Sequence, residues 1–121
     1  MSFSSQDVYK KALGRGGEKR VAEFLKARGL KILKTNYVTP FGEADIIAED
    51  KALGEIAFIE VKTRSSDSYG TPAEAVGTKK REKYRNIAAY YWMETGKEPN
   101  ARFDVAEVLP GGGIEYLTYA F

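Results

Sequence analysis

Apolar residues recur along this chain with two different periods. Between residues 17 and 28, Val21, Ala22, Phe24 and Leu25 fall at helical spacing, and Gly29 stands where a helix C-terminus favours a left-handed residue. The spacing predicts a helix that ends there. Its start is harder to place. Val8, Ala12 and Leu13 carry the periodicity backwards, but Gly14, Gly16 and Gly17 weaken a continuous helix, so a kink or restart is expected across residues 14–17. Residues 31–38, 43–48 and 55–63 then read as strands, separated by a Pro40-Phe41-Gly42 turn and a loop over residues 50–54. Connections this short favour antiparallel neighbours. After the loop SSDSYGTP, residues 73–95 predict a long helix with Val76, Lys80, Tyr84, Ile87, Ala88 and Tyr91 on one stripe. Residues 102–109 and 114–119 read as two last strands joined in a hairpin by a turn at 110–113. The order α-β-β-β-α-β-β predicts an α/β fold for residues 1–121, one domain in which a mixed central sheet carries helices on its faces.

Composition narrows the chemistry. The 121 residues, 43% hydrophobic, suit one modest core. The absence of cysteine excludes disulfides, thiolate zinc sites and cysteine nucleophiles, and the absence of histidine removes the usual general base near neutral pH together with imidazole metal ligands. Catalysis therefore has to use carboxylates, lysine, hydroxyls or a metal held by oxygens. No signal-peptide pattern and no long apolar run occurs, so a soluble, cytoplasmic protein is expected. A net charge of +2 argues against a general polyanion-binding tail, but the distribution is uneven. Five of the seven residues in KKREKYR, 79–85, are basic, whereas EADIIAED, 43–50, carries acids at positions 43, 45, 49 and 50.

The stretch FIEVKTR, residues 58–64, places a Glu and a Lys on either side of Val61 directly after a run with buried-strand character. Side chains two apart on a strand share a face, so Glu60 and Lys62 point the same way. A short hairpin would bring Asp45 alongside Glu60, so that two carboxylates and an ammonium converge. Oxygen-rich clusters of this kind suit Mg²⁺ or Mn²⁺. A metal held there activates water and neutralises charge on a phosphate, with Lys62 orienting the water or stabilising the developing charge. The plain alternative is a solvated strand face with a weak ion pair, worth about 0–1 kcal/mol. Glu18 lies three, four and seven residues before Val21, Ala22 and Leu25 on one helical stripe, which turns it toward the core; an acid in a first helical turn is its simpler role. Lys80 and Tyr84, four apart on the otherwise apolar stripe, read either as a phosphate-facing pair or as a snorkelling lysine and a core tyrosine.

Asp45, fourteen residues, then Glu60-Val61-Lys62, after a helix bearing Glu18, resembles the active-site pattern of the PD-(D/E)XK nuclease superfamily, especially its Holliday-junction-resolvase-like branch. The wider run GGEKRVAEFLKARGLKILKTNYVTPFGEADIIAED, then FIEVKTR, YGTPAEAV and RFDVAEV, closely resembles the uncharacterised bacterial YraN-like family over roughly residues 14–109. The resemblance implies a restriction-endonuclease-like fold and a metal-dependent nuclease. Asp45 and Glu60 match the metal-binding acids, with the Val61 carbonyl as a further ligand, Lys62 matches the catalytic lysine, and Glu18 matches the helix-one glutamate. Lys80 and Tyr84 fall where related nucleases often carry Gln and Tyr, and Ala44 replaces the proline of the superfamily pattern. Asp104 matches a family-typical position, but a hydrogen-bonded polar residue at a strand end accounts for it. Gly42 supplies a turn conformation, and Glu43 is either an acid behind the metal ligands or an exposed strand-start residue.

Nucleic acid is the partner these charges imply, with a solvated helix face as the plain alternative for KKREKYR, and the nuclease resemblance implies that it is DNA. Arg64, Lys79, Lys80 and Arg81, with Arg15, Lys19 and Arg20, supply phosphate contacts, and Tyr69 or Tyr84 a surface for an unpaired base. The resolvase-like resemblance implies a homodimer, which the residues themselves do not show. The competing expectation is a nuclease-like fold that binds nucleic acid or a protein without cutting.

Overall fold

The computed structural model of the chain describes residues 5–64 and 77–121, with residues 5–15 described by backbone alone. Its elements are α1 (Ser5–Ala27), β1 (Lys31–Thr39), β2 (Gly42–Asp50), β3 (Glu55–Thr63), α2 (Thr78–Thr95), β4 (Ala101–Val108) and β5 (Ile114–Leu117). The strands form one sheet in chain order, β1-β2-β3-β4-β5. Every neighbouring pair is antiparallel except β3 and β4, which run parallel with α2 in the connection between them. The mixed α/β architecture and the element order are those the sequence pattern predicts.

Two boundaries differ from expectation. The first helix neither stops nor restarts at its glycines: α1 runs unbroken from Ser5 to Ala27. Tertiary contact explains Gly17. A Cβ there would lie 2.5 Å from Thr63 Oγ1, with Val108 Cγ2 at 3.6 Å and Val61 Cγ1 at 3.8 Å. Only a residue without a side chain lets α1 lie this close to the ends of β3 and β4, which outweighs a helix-propensity cost of about 1 kcal/mol. The second helix begins at Thr78, after Gly77 in an extended conformation (φ −93°, ψ 174°). The earlier part of the expected helix, including Val76, lies outside the described residues, as do the SSDSYGTP loop and Tyr69.

Helices cover opposite faces of the sheet. On one, Val21 and Leu25 of α1 pack on Ile46, Ala48, Ala57, Ile59, Ala106 and Val108. On the other, Tyr84, Ile87 and Ala88 of α2 pack on Tyr37, Ala44, Ile47 and Phe58. Strand alternation does the sorting in β3: Ala57, Ile59 and Val61 face α1 while Phe58 faces α2, so Glu60 and Lys62 continue the α2 face.

A buried ion cluster pins the other end of the sheet. Asp104, fully enclosed within β4, accepts hydrogen bonds from Arg102 Nε (3.0 Å), the Tyr116 hydroxyl (2.5 Å) and the Tyr119 amide (2.9 Å). Arg102 reaches on to Asp50 at 2.8 Å and Glu55 at 3.1 Å, the two ends of the β2–β3 turn. The hydrogen-bonded role expected for Asp104 is what the structure shows, although the residue sits inside its strand rather than at the end.

Candidate active site

At the end of the sheet away from the β2–β3 turn, the ladder between these two strands stops. Pairing runs from Asp50↔Glu55 to Ile46↔Ile59, and one more step would set Asp45 opposite Glu60. There the Val61 amide donates instead to the Asp45 side chain, Oδ2 at 2.8 Å. Strand β2 also rolls about its axis at this point: Ile46 packs on the α1 side, whereas Ala44, two residues earlier, packs on the α2 side. The parting of the strands exposes Asp45 to charges from both faces.

Its carboxyl is pushed up to about 7, first by burial and then by the charges of Glu60, Glu18 and Glu43, against the opposing Val61 hydrogen bond. The strongest charged neighbours of this acid are other acids. Glu60, on the α2 face, is held differently. Its Oε1 lies 2.5 Å from Lys80 Nζ, and the Tyr84 hydroxyl donates to its Oε2. The Tyr84 ring is fully enclosed, edge-on to Phe121 at 5.2 Å and to Phe103 at 6.2 Å. Burial and the Glu60 charge raise the phenol well above its ordinary value, so it stays a proton donor. Lys62 is lowered from the usual lysine range by burial and by the charge of Lys80, with Glu60 opposing. Glu18 approaches from α1, half-buried beside a shallow cleft of about 350 Å³ that Lys19, Lys26 and Thr35 help to line.

Comparison with known protein sequences points to one family. Residues 17–108 match the family described as "Uncharacterised protein family UPF0102". The chain belongs to this family. It is 43% identical over 114 residues to a UPF0102 protein of Alkaliphilus metalliredigens (strain QYMF), covering 92% of this chain and 98% of that one. To a UPF0102 protein of Symbiobacterium thermophilum it is 45% identical over 100 residues, 82% and 83% of the two chains. A Nocardia farcinica relative matches at 44% over 117 residues, 93% of this chain and 91% of that one. The matched region of this UPF0102 chain contains Glu18, Asp45, Glu60, Lys62, Lys80 and Tyr84.

The donor set determines which ion the UPF0102 site suits. Among the described residues no three or more His, Cys, Asp or Glu side chains form a ready metal cage. The groups at hand are oxygens, from Asp45, Glu60 and the main chain at Val61, which match hard divalent cations rather than zinc or copper. Asp45, raised first by burial and then by the surrounding acids, is the group that a cation would relieve.

The expected nucleic-acid residues divide into two sets. Lys79 and Arg81 are exposed near the start of α2. Lys80 and Tyr84 turn inward onto Glu60, and Arg64 forms an ion pair with Glu107 of β4. Glu43 is exposed and acts on the site through its charge. The Lys80–Glu60–Tyr84 contact was not read from the sequence; its signal was the two polar side chains interrupting an apolar stripe.

Proposed function

We propose that this UPF0102 protein is a metal-dependent nuclease that hydrolyses phosphodiester bonds in DNA, with Asp45, Glu60 and the Val61 carbonyl holding Mg²⁺ or Mn²⁺. The observation that carries this reading is Asp45: a half-buried carboxyl whose main charged neighbours are Glu60, Glu18 and Glu43. The resemblance of Asp45, Glu60-Val61-Lys62 and Glu18 to the PD-(D/E)XK pattern supports it. A bound divalent cation supplies Lewis-acid stabilisation of charge on the phosphate under attack.

The chain's own residues have separable tasks. Tyr84 and Lys80 fix the Glu60 carboxylate from α2, so Tyr84 acts through Glu60 and its enclosed ring is not a base-stacking surface. Lys62, partly desolvated on the same face, orients the attacking water or meets the charge that builds on the phosphate. Glu18 is an auxiliary acid on the α1 side. Lys79 and Arg81 contact the DNA backbone. Among the described residues no helix is long and apolar enough to cross a membrane, and the cytoplasm is the compartment this reading assigns.

One observation favours a second reading. Lys80 and Tyr84 already satisfy Glu60 without a metal, as they would in a module that binds nucleic acid and does not cut it. Incubation with branched and single-stranded DNA in Mg²⁺ or Mn²⁺ separates the two. Cleavage is expected in the wild type, none in EDTA, and a loss of about 100-fold or more in Lys62→Ala with an unchanged urea midpoint. Salt-sensitive DNA binding by the wild type without cleavage would favour the binding module, and full activity of Lys62→Ala would remove that lysine from the mechanism.

A further inference from the structure

The turn that precedes Asp45 carries a feature the proposed chemistry does not use. Thr39, itself buried, donates its hydroxyl to the Gly42 carbonyl at 2.8 Å and accepts the Phe41 amide at 3.1 Å. Gly42 has φ +134°, and a Cβ there would fall 2.9 Å from Lys83 Cδ, so the turn is seated directly on α2. A turn held this firmly still leaves the Phe41 ring 52% exposed, with Val38 at 72% three residues earlier.

Single exposed apolar side chains are ordinary, so location has to decide. Among the described residues, Leu53 lies in the β2–β3 turn and Tyr119 bonds Glu55 beside it, both at the far end of the sheet, while Trp92 and Met93 lie near the C-terminus of α2. Phe41 stands four residues before Asp45, at most about 14 Å along extended chain. Through Gly42 it borders Lys83, one helical turn beyond Lys79 and Lys80. An exposed aromatic ring on an anchored turn, beside Lys83 and on the same side as the exposed start of α2 with Lys79, matches an unpaired base and its flanking phosphates: the ring stacks on any base, and the ammonium groups neutralise the backbone. An apolar protein surface would offer the exposed Lys79 no counter-charge, whereas Lys80 is already held by Glu60.

The geometry points to Phe41 as a stacking platform for an unpaired base at the rim of the acid site, so that DNA with a single-stranded arm or branch is the preferred ligand. The inference rests on the DNA-directed reading above. Fluorescence anisotropy in EDTA, and again in Ca²⁺, compares a blunt duplex with the same duplex carrying a single-stranded arm, for the wild type, Phe41→Ala and Phe41→Trp. The wild type is expected to prefer the armed DNA, Phe41→Ala to lose about five-fold or more on it with little change on the duplex, and Phe41→Trp to retain the preference. Equal affinity of Phe41→Ala and wild type for the armed DNA would overturn this inference alone. A change of oligomeric state in Phe41→Ala would also overturn it, making the turn a contact between copies. Failure of the wild type to bind either DNA would overturn it together with the nuclease reading.

Discussion

Asp45→Asn is expected to stabilise the metal-free protein at pH 8 and to change it little at pH 4. The sign follows from the direction of the shift. The Asp45 carboxyl is pushed up to about 7 in the folded protein from an ordinary value of 3.8. The folded state therefore binds more protons than the unfolded one between these values, and this group's contribution to stability falls as the pH rises through that window. Above pH 7 the full penalty applies, on the order of 4 kcal/mol at 1.36 kcal/mol per pKa unit. Asparagine keeps an oxygen for the Val61 amide and carries no charge to repel Glu60, Glu18 and Glu43. Urea denaturation in EDTA should show the variant more stable by about 1–4 kcal/mol at pH 8, with most of the gap closed at pH 4. A variant less stable than wild type at pH 8 would mean that the Asp45 charge is well compensated inside the fold, which would undercut the case for a cation there.

Asp104→Ala should have the opposite effect, destabilising by about 3–5 kcal/mol at neutral pH. The substitution leaves Arg102 Nε, the Tyr116 hydroxyl and the Tyr119 amide without their acceptor. Burial, the first cause that raises the Tyr116 phenol, persists in the variant and keeps disfavouring its ionisation. The effect extends to the candidate site. The Tyr119 bond and the Ala120 amide bond to Phe103, 2.7 Å, fix the segment that sets Phe121 against Tyr84, and Tyr84 in turn positions Glu60. Since small domains are stable by only about 5–15 kcal/mol, Asp104→Ala should shift the urea midpoint strongly. A shift smaller than about 1 kcal/mol would show that the buried cluster contributes little to the fold.

The local chemistry of the chain made the strands and turns legible. Period-two patterning with Pro40, Gly42 and Gly54 at the turns marks β1 to β3, and the same period places Glu60 and Lys62 on one face. Gly17 was misleading because a helical glycine reads as a breaker, whereas its reason lies in a contact with Thr63, 46 residues away in sequence (63 − 17). Glu18 could be placed on a core-facing stripe, but not on the opposite side of the sheet from Glu60. The capture of Glu60 by Lys80 and Tyr84 depends on the angle at which α2 crosses β3, which periodicity does not encode. The role of Arg102 is hidden in the sequence for a similar reason, since its partners come from three separate strands: Asp50, Glu55 and Asp104.

The most direct test of a cation-dependent site is calorimetric titration of Mg²⁺ and Mn²⁺ into the wild type and into Asp45→Ala/Glu60→Ala, with and without a branched DNA. The account predicts saturable binding to the wild type that weakens as the pH falls below about 7, where Asp45 is protonated, and is lost in the double variant. Absence of binding to the wild type even with DNA present, or equal binding to the double variant, would contradict it.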